Sequence, residues 1–252
     1  MELFYWLMIV FLLSYEPVYG YFDYQTFKRR VQTDQAVRIS YYKKVMAGLW
    51  LPTLAILAAA VFGPLTAGDI GLKWIEINTA PLGKGMTYAV IGMALLYILV
   101  LMYYWAGYKY SEKIRTDIQK AKKKTLATTS FSDIMPVTKE DKKAWTLVSW
   151  TAGITEELIY RGFLVFALGQ LFPGWPLWLV LIAGSVLFGL AHTYQGYGNV
   201  IKTSLIGLFF ALLYISLGSV IPLILLHFLI DYVGKIGDDE ETGIAARDMP
   251  AS

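Results

Sequence analysis

Residues 45–65 and 86–108 contain no charged side chain, and this constrains the fold more than any other feature of the chain. A helix needs about 20 mostly apolar residues to cross a hydrocarbon core of about 30 Å. In that core each backbone N–H and C=O must be satisfied within the protein, so a segment of this kind folds as a helix. The first window carries Pro52 and Pro64, and the second ends in Tyr103, Tyr104 and Trp105, aromatics suited to a headgroup interface. Composition agrees: 56% of the residues are hydrophobic and 16% charged, against about 25% charged in average soluble chains. The expected fold class is an all-α polytopic membrane protein.

Residues 3–13 form a further unbroken apolar run, short for a full crossing. The chain begins Met-Glu, and the run is followed by Ser14, Tyr15, Glu16 and Pro17, so it lacks the basic start and small-residue cleavage site of a removable signal. A retained anchor is expected. From 144 to 234 the chain is again apolar. Pro173-Gly174, the stretch 196–198 and Gly218-Ser219 divide it into segments of approximately 144–172, 175–194, 199–217 and 219–234. The first would measure about 43 Å as a continuous helix, so it is expected to tilt, protrude or break near Gly153 or Gly162. The sum is about seven transmembrane helices. The organisation expected is N-terminal spans over 1–108, a basic cytoplasmic loop over 109–143, a core over 144–234 and a polar, disordered tail over 235–252.

Lysine and arginine in short loops set the orientation. Residues 14–44 hold Lys28, Arg29, Arg30, Arg38, Lys43 and Lys44, whereas 66–85 hold only Lys73 and Lys84. Ten basic residues lie between Lys109 and Lys143, including Lys122, Lys123 and Lys124. The first and third stretches are therefore expected in the cytoplasm, where the third can lie on anionic headgroups. The net charge of +3, from 22 basic and 19 acidic residues, is too balanced to suggest a nucleic-acid partner. The absence of cysteine excludes thiol nucleophiles, disulfide scaffolds and cysteine zinc sites.

Against this background, residues 144–234 hold Glu156, Glu157, Arg161, Lys202 and Asp231, together with both histidines of the chain, His192 and His227. A charge at a bilayer centre costs at least about 2.5 kcal/mol, so such residues point to function. Lys202 is near a segment end and can snorkel. Glu157 and Arg161 are four apart on one helical face, in the order favoured for an ion pair. Glu156 is turned about 100° away, which leaves one glutamate paired and the other free. His227 and Asp231 are also four apart, and His192 comes from a third segment. A single Glu–Arg pair or a lone histidine in a bundle is often only packing. Three segments contributing carboxylate, imidazole and guanidinium groups imply one wet polar site between helices of the C-terminal half.

These residues fall into three motifs. Glu156-Glu157-Leu-Ile-Tyr-Arg161 resembles EExxxR, Phe188-Gly-Leu-Ala-His192 resembles FxxxH, and His227-Phe-Leu-Ile-Asp231 resembles HxxxN/D. In order and spacing they are similar to the CAAX protease and bacteriocin-processing family over roughly 144–234; the N-terminal spans carry no motif of that family. The resemblance implies an intramembrane endopeptidase of the glutamate type, which activates water and forms no acyl-enzyme. It implies that Glu156 is the general base and His192 its partner on the water. His227 and Asp231 would stabilise the oxyanion, and Arg161 would fix Glu157. Asp231 departs from the Asn of eukaryotic prenyl-protein proteases of the family. A carboxylate donates a hydrogen bond only when protonated, so Asp231 would serve either as oxyanion donor or as the group that orients His227.

No cofactor is expected. Two histidines and several carboxylates could alternatively hold Zn²⁺ with an open position for water, although HExxH is absent. A non-proteolytic scaffold or immunity protein is the alternative from another class. A proton-coupled transporter would also use buried Glu and His, but no paired broken segments suggest repeat halves. The expected partners are the lipid bilayer and a membrane-associated or prenylated peptide or protein. The expected location is a bacterial cell membrane, with the site open to the cytoplasm because His192 lies near that end of its segment. Substrate identity and oligomeric state leave no mark on the sequence.

Overall fold

Long apolar windows fold as helices, and among the described residues every regular element is helical. The structure, a computed structural model, describes residues 1–129 and 131–233; the expected tail over 235–252 lies outside the described residues. Among the described residues, four helical stretches are long and apolar enough to cross a membrane: Glu2–Val31, Val37–Phe62, Gly83–Tyr110 and Tyr197–Leu217. The molecule is thus an all-helical, multi-spanning membrane protein. Its helices turn large apolar side chains outward, Leu51, Leu54 and Val61 on the second stretch and Leu95, Leu96 and Leu99 on the third. In water such faces would be a liability; in a bilayer they meet lipid tails.

The N-terminal anchor runs further than residues 3–13. Helix α1 (Glu2–Ser14) passes through a widened π-helical turn, Tyr15–Gly20, into α2 (Tyr21–Val31) without leaving the helical track. Pro17 marks an end in the sequence, because proline lacks the N–H of an ordinary helical turn. Here it sits inside the widened turn, and the chain continues. The basic residues 28–44, expected in a loop, are mostly helical, on α2 and on α3 (Val37–Phe62). After α4 (Gly83–Tyr110), the basic stretch 109–143 contains α5 (Glu112–Thr128), capped by Ser111, whose hydroxyl accepts from the Ile114 N–H.

Helix α6 (Lys139–Glu156) begins with a reciprocal capping box between Thr138 and Asp141. Asp141 also accepts from buried Arg38 of α3 at 3.2 Å, which ties α3 to the start of α6. The expected break in the 144–172 segment is a second π-helical stretch, Glu157–Leu164, before α7 (Val165–Leu171). Helices α8 (Leu177–Leu190), α9 (Tyr197–Leu217) and α10 (Ile221–Val233) complete the bundle. Helix α8 packs along α9, and α6 packs against α3 and α10.

Two glycines permit the approaches that shape the core. A Cβ on Gly153 would lie 2.9 Å from the Ile224 carbonyl oxygen and 3.2 Å from the Phe228 nitrogen, so α6 and α10 meet backbone to backbone. A Cβ on Gly162 would overlap the Ile70 carbonyl oxygen. The connection 66–82 therefore wedges against the π-helical stretch. It is held there by hydrogen bonds from Val220 N–H to Gly71 O (3.0 Å) and from Ser219 Oγ to Lys73 O (2.7 Å).

Candidate active site

The end of α6 and the π-helical stretch after it put the two adjacent glutamates in different surroundings. Glu157 is fully buried, and its Oε1 accepts from Arg161 Nη1 at 2.9 Å. The widened turn keeps the pair of residues four apart in contact, as their spacing implies. Arg161 is held from the other side by ring faces, its Cζ 4.1 Å from the centroid of Phe188 and 5.2 Å from that of Phe210. A guanidinium withdrawn from water is stabilised by such faces. π-helical turns recur at functional sites because the wider turn redirects side chains.

Glu157 has a second partner that the sequence did not suggest. His227 of α10 directs Nδ1 to the same Oε1 at 2.6 Å. Its Nε2 lies 3.6 Å from Asp231 Oδ2 and 3.8 Å from Glu156 Oε2. Three carboxylates thus surround one imidazole, and the closest is Glu157. The shortest contact to the ring therefore comes from a glutamate of the neighbouring segment, with Asp231 on its other nitrogen. The Asp231 carbonyl is itself tied down, accepting from Trp145 Nε1 at 3.1 Å.

His192 follows the end of α8, where its Nδ1 is 2.9 Å from the Phe188 carbonyl oxygen. A carbonyl only accepts, so Nδ1 carries the proton and Nε2 keeps its lone pair. The Phe188 ring meets His192 edge to face at 5.0 Å and also abuts Tyr160 at 5.0 Å. One phenylalanine therefore contacts the arginine, a histidine and a tyrosine.

Two openings converge on His192. One, with about 1080 Å³ of empty space including its mouth, is lined by Glu157, Arg161, His192, His227 and Asp231. The other, about 680 Å³ on the same measure, is lined by Glu156, His192 and Tyr160, and by residues of the N-terminal helix. All six residues singled out in the sequence thus line one or the other. Sequence reasoning missed Phe188 as a shared platform, Tyr160 and Glu16. Tyr160 lies inside the first motif, and Glu16 is a charge at the end of an apolar run; both are signals that could have been used.

The six residues singled out in the sequence fall within one segment, 142–233, that matches a family model described as type II CAAX prenyl endopeptidase Rce1-like. This segment is similar to the Rce1-like family. The match covers 92 of the 252 residues and spans Glu156, Glu157, Arg161, His192, His227 and Asp231. No curated protein and no solved structure matches the chain. Among the described residues, no group of three or more His, Cys, Asp or Glu side chains is arranged to hold a metal ion.

Proposed function

We propose that the protein is an intramembrane endopeptidase of the glutamate type, acting on a membrane-associated or prenylated peptide. The observation that carries this reading is that Glu156 and His192, both from the Rce1-like segment, line one opening. Glu156, not engaged by Arg161, takes a proton from a water that His192 Nε2 helps to hold. The water oxygen attacks the scissile carbonyl carbon, and the carbonyl π electrons move to its oxygen. As an imidazolium, His227 donates Nδ1–H to Glu157 and keeps Nε2–H for that oxyanion, which fixed donors stabilise in a site shielded from water. Collapse of the tetrahedral intermediate breaks the C–N bond, and the proton taken by Glu156 passes to the leaving amine. No covalent enzyme intermediate forms.

Glu157 and Arg161 act in this scheme by positioning His227. Asp231 flanks Nε2 and limits the directions from which a carbonyl reaches it. The bundle crosses the membrane about seven times, counting α1, α3, α4, the α6–α7 segment, α8, α9 and α10, with the site reached from the cytoplasm of a bacterial cell. Arginine and lysine distribution supports that orientation.

The test is cleavage of membrane-tethered and prenylated peptides by detergent-purified protein after treatment with a chelator. Wild type is expected to cleave. Glu156→Gln and His192→Ala, equally folded, are expected to lose at least about 10²-fold in kcat, the scale of general acid–base catalysis. Activity that vanishes with the chelator and returns with Zn²⁺ would replace this mechanism with a zinc one. Absence of cleavage by well-folded wild type across the panel would favour a scaffold or immunity role.

A further inference from the structure

The opening that carries Glu156 is closed on one side by a part of the chain outside the Rce1-like segment. The π-helical turn Tyr15–Gly20 brings Glu16 to its wall, together with Tyr15 and Tyr19. Asp23, one turn further along, also lines it but is neutralised: its carboxylate is 2.5 Å from Lys44 Nζ, which also lies 5.0 Å from the Tyr19 ring centroid. Glu16 forms no hydrogen bond or ion pair with any described residue. Two carboxylates, Glu16 and Glu156, thus face a common space; Glu156 has His227 Nε2 at 3.8 Å, whereas Glu16 has no cation within ion-pair reach among the described residues.

A second, independent feature points into the same space. Tyr160 is 4% exposed, lines the opening, and its hydroxyl has no hydrogen-bond partner among the described residues. A buried hydroxyl without a partner costs about 1–3 kcal/mol, and an unpaired carboxylate inside a membrane costs several. Tyr41 and Tyr194 add further aromatic wall. Carboxylate, phenol oxygen and aromatic rings together suit a cation.

We propose that this opening is a subsite for a cationic side chain of the peptide substrate, a lysine or arginine close to the scissile bond, bound by Glu16 with the Tyr160 hydroxyl as a further acceptor. The proposal rests on the endopeptidase reading and deepens it by naming a substrate class. Glu16 acts here as a specificity determinant contributed by the N-terminal helix to a site otherwise built from α6 to α10. A basic side chain seated on Glu16 puts the neighbouring peptide bond beside Glu156, whereas a neutral one leaves Glu16 unmatched.

The experiment uses membrane-tethered, internally quenched peptides identical except for Lys, Arg, Gln or Glu at successive positions around the cleaved bond. Wild type, Glu16→Gln, Glu16→Lys and Tyr160→Phe are compared by kcat/KM. Wild type is expected to prefer Lys or Arg over Gln at one position by about ten- to one-hundred-fold, the scale of a buried charged hydrogen bond. In Glu16→Gln the ratio is expected to fall to within about two-fold, and Glu16→Lys is expected to favour the Glu peptide. Tyr160→Phe should keep the sign of the preference and reduce its size. The readout is a ratio within one protein, so a smaller folded fraction does not alter it. Cleavage by wild type without preference for a basic residue, or with a preference that Glu16→Gln retains, overturns the subsite and leaves the protease reading intact. No cleavage of any peptide by wild type overturns both.

Discussion

Two adjacent glutamates with identical chemistry sit in such different surroundings that their amide variants should separate stability from catalysis. Glu157 is fully buried and its partner Arg161 is 2% exposed, at 2.9 Å. Removing one member of a buried ion pair costs about 3–5 kcal/mol, because the remaining charge is left unmatched. In Glu157→Gln an amide oxygen still accepts one bond from Arg161, and the Phe188 and Phe210 rings still cover the guanidinium. The loss therefore falls at the low end, about 3 kcal/mol. Glu156 has only His227 Nε2 nearby, at 3.8 Å, beyond hydrogen-bond reach. Glu156→Gln should cost less than about 1 kcal/mol, as for weakly engaged ion pairs.

Thermal unfolding of the purified proteins in the same detergent measures the difference. At about 2–4 °C per kcal/mol for a chain of this size, Glu157→Gln should lower Tm by about 6–12 °C and Glu156→Gln by less than about 4 °C. Activity should show the opposite emphasis, with Glu156→Gln inactive although folded. Equal Tm shifts for the two variants would refute the assignment of Glu157 as the buried, structural member of the pair. A stable, fully active Glu157→Gln would also refute its role in holding His227.

Two further perturbations test how the helices are arranged. Gly153→Ala adds helix propensity, by about 1 kcal/mol, yet its Cβ would meet the α10 backbone at 2.9 Å; overpacking costs about 1–3 kcal/mol, so Tm should fall, and kcat with it as α10 shifts His227. An unchanged or raised Tm would show that α6 and α10 are less closely apposed. Because the chain has no cysteine, Lys84→Cys and Lys113→Cys are clean reporters for a membrane-impermeant maleimide: Lys113→Cys should react from the cytoplasmic face and Lys84→Cys from the opposite one, and labelling of both from one side would rule out the proposed topology.

What the sequence disclosed, and what it hid, follows from the range of the interactions involved. Helix periodicity relates residues three or four apart, so Glu157 to Arg161 and His227 to Asp231 could be read without coordinates. Uncharged windows likewise disclosed α3 and α4, although α3 starts before its window, at Val37, and α4 runs past both ends of its own, over Gly83–Tyr110, because flanking charged residues can stay helical outside the hydrocarbon. The bond from His227 to Glu157 spans 70 residues, from α10 to the π-helical stretch; no periodicity encodes it, whereas the nearer carboxylate in sequence, Asp231, could be paired with the ring by spacing alone. The N-terminal helix, expected over the apolar run 3–13, likewise continues past Pro17. Proline ends an α-helix by removing a donor, but a widened turn changes which donors are needed, and the helix passes through to carry Glu16 to the opening that holds Glu156. Both surprises occur at π-helical turns. Local propensity rules describe the 3.6-residue turn, so they fail where the turn is wider, and at both places the widening aims a glutamate into the polar interior. The candidate site residues of the motif region are therefore legible in the sequence, whereas the place of the N-terminal helix beside them, which bears no motif of the family, emerges only from the packed bundle.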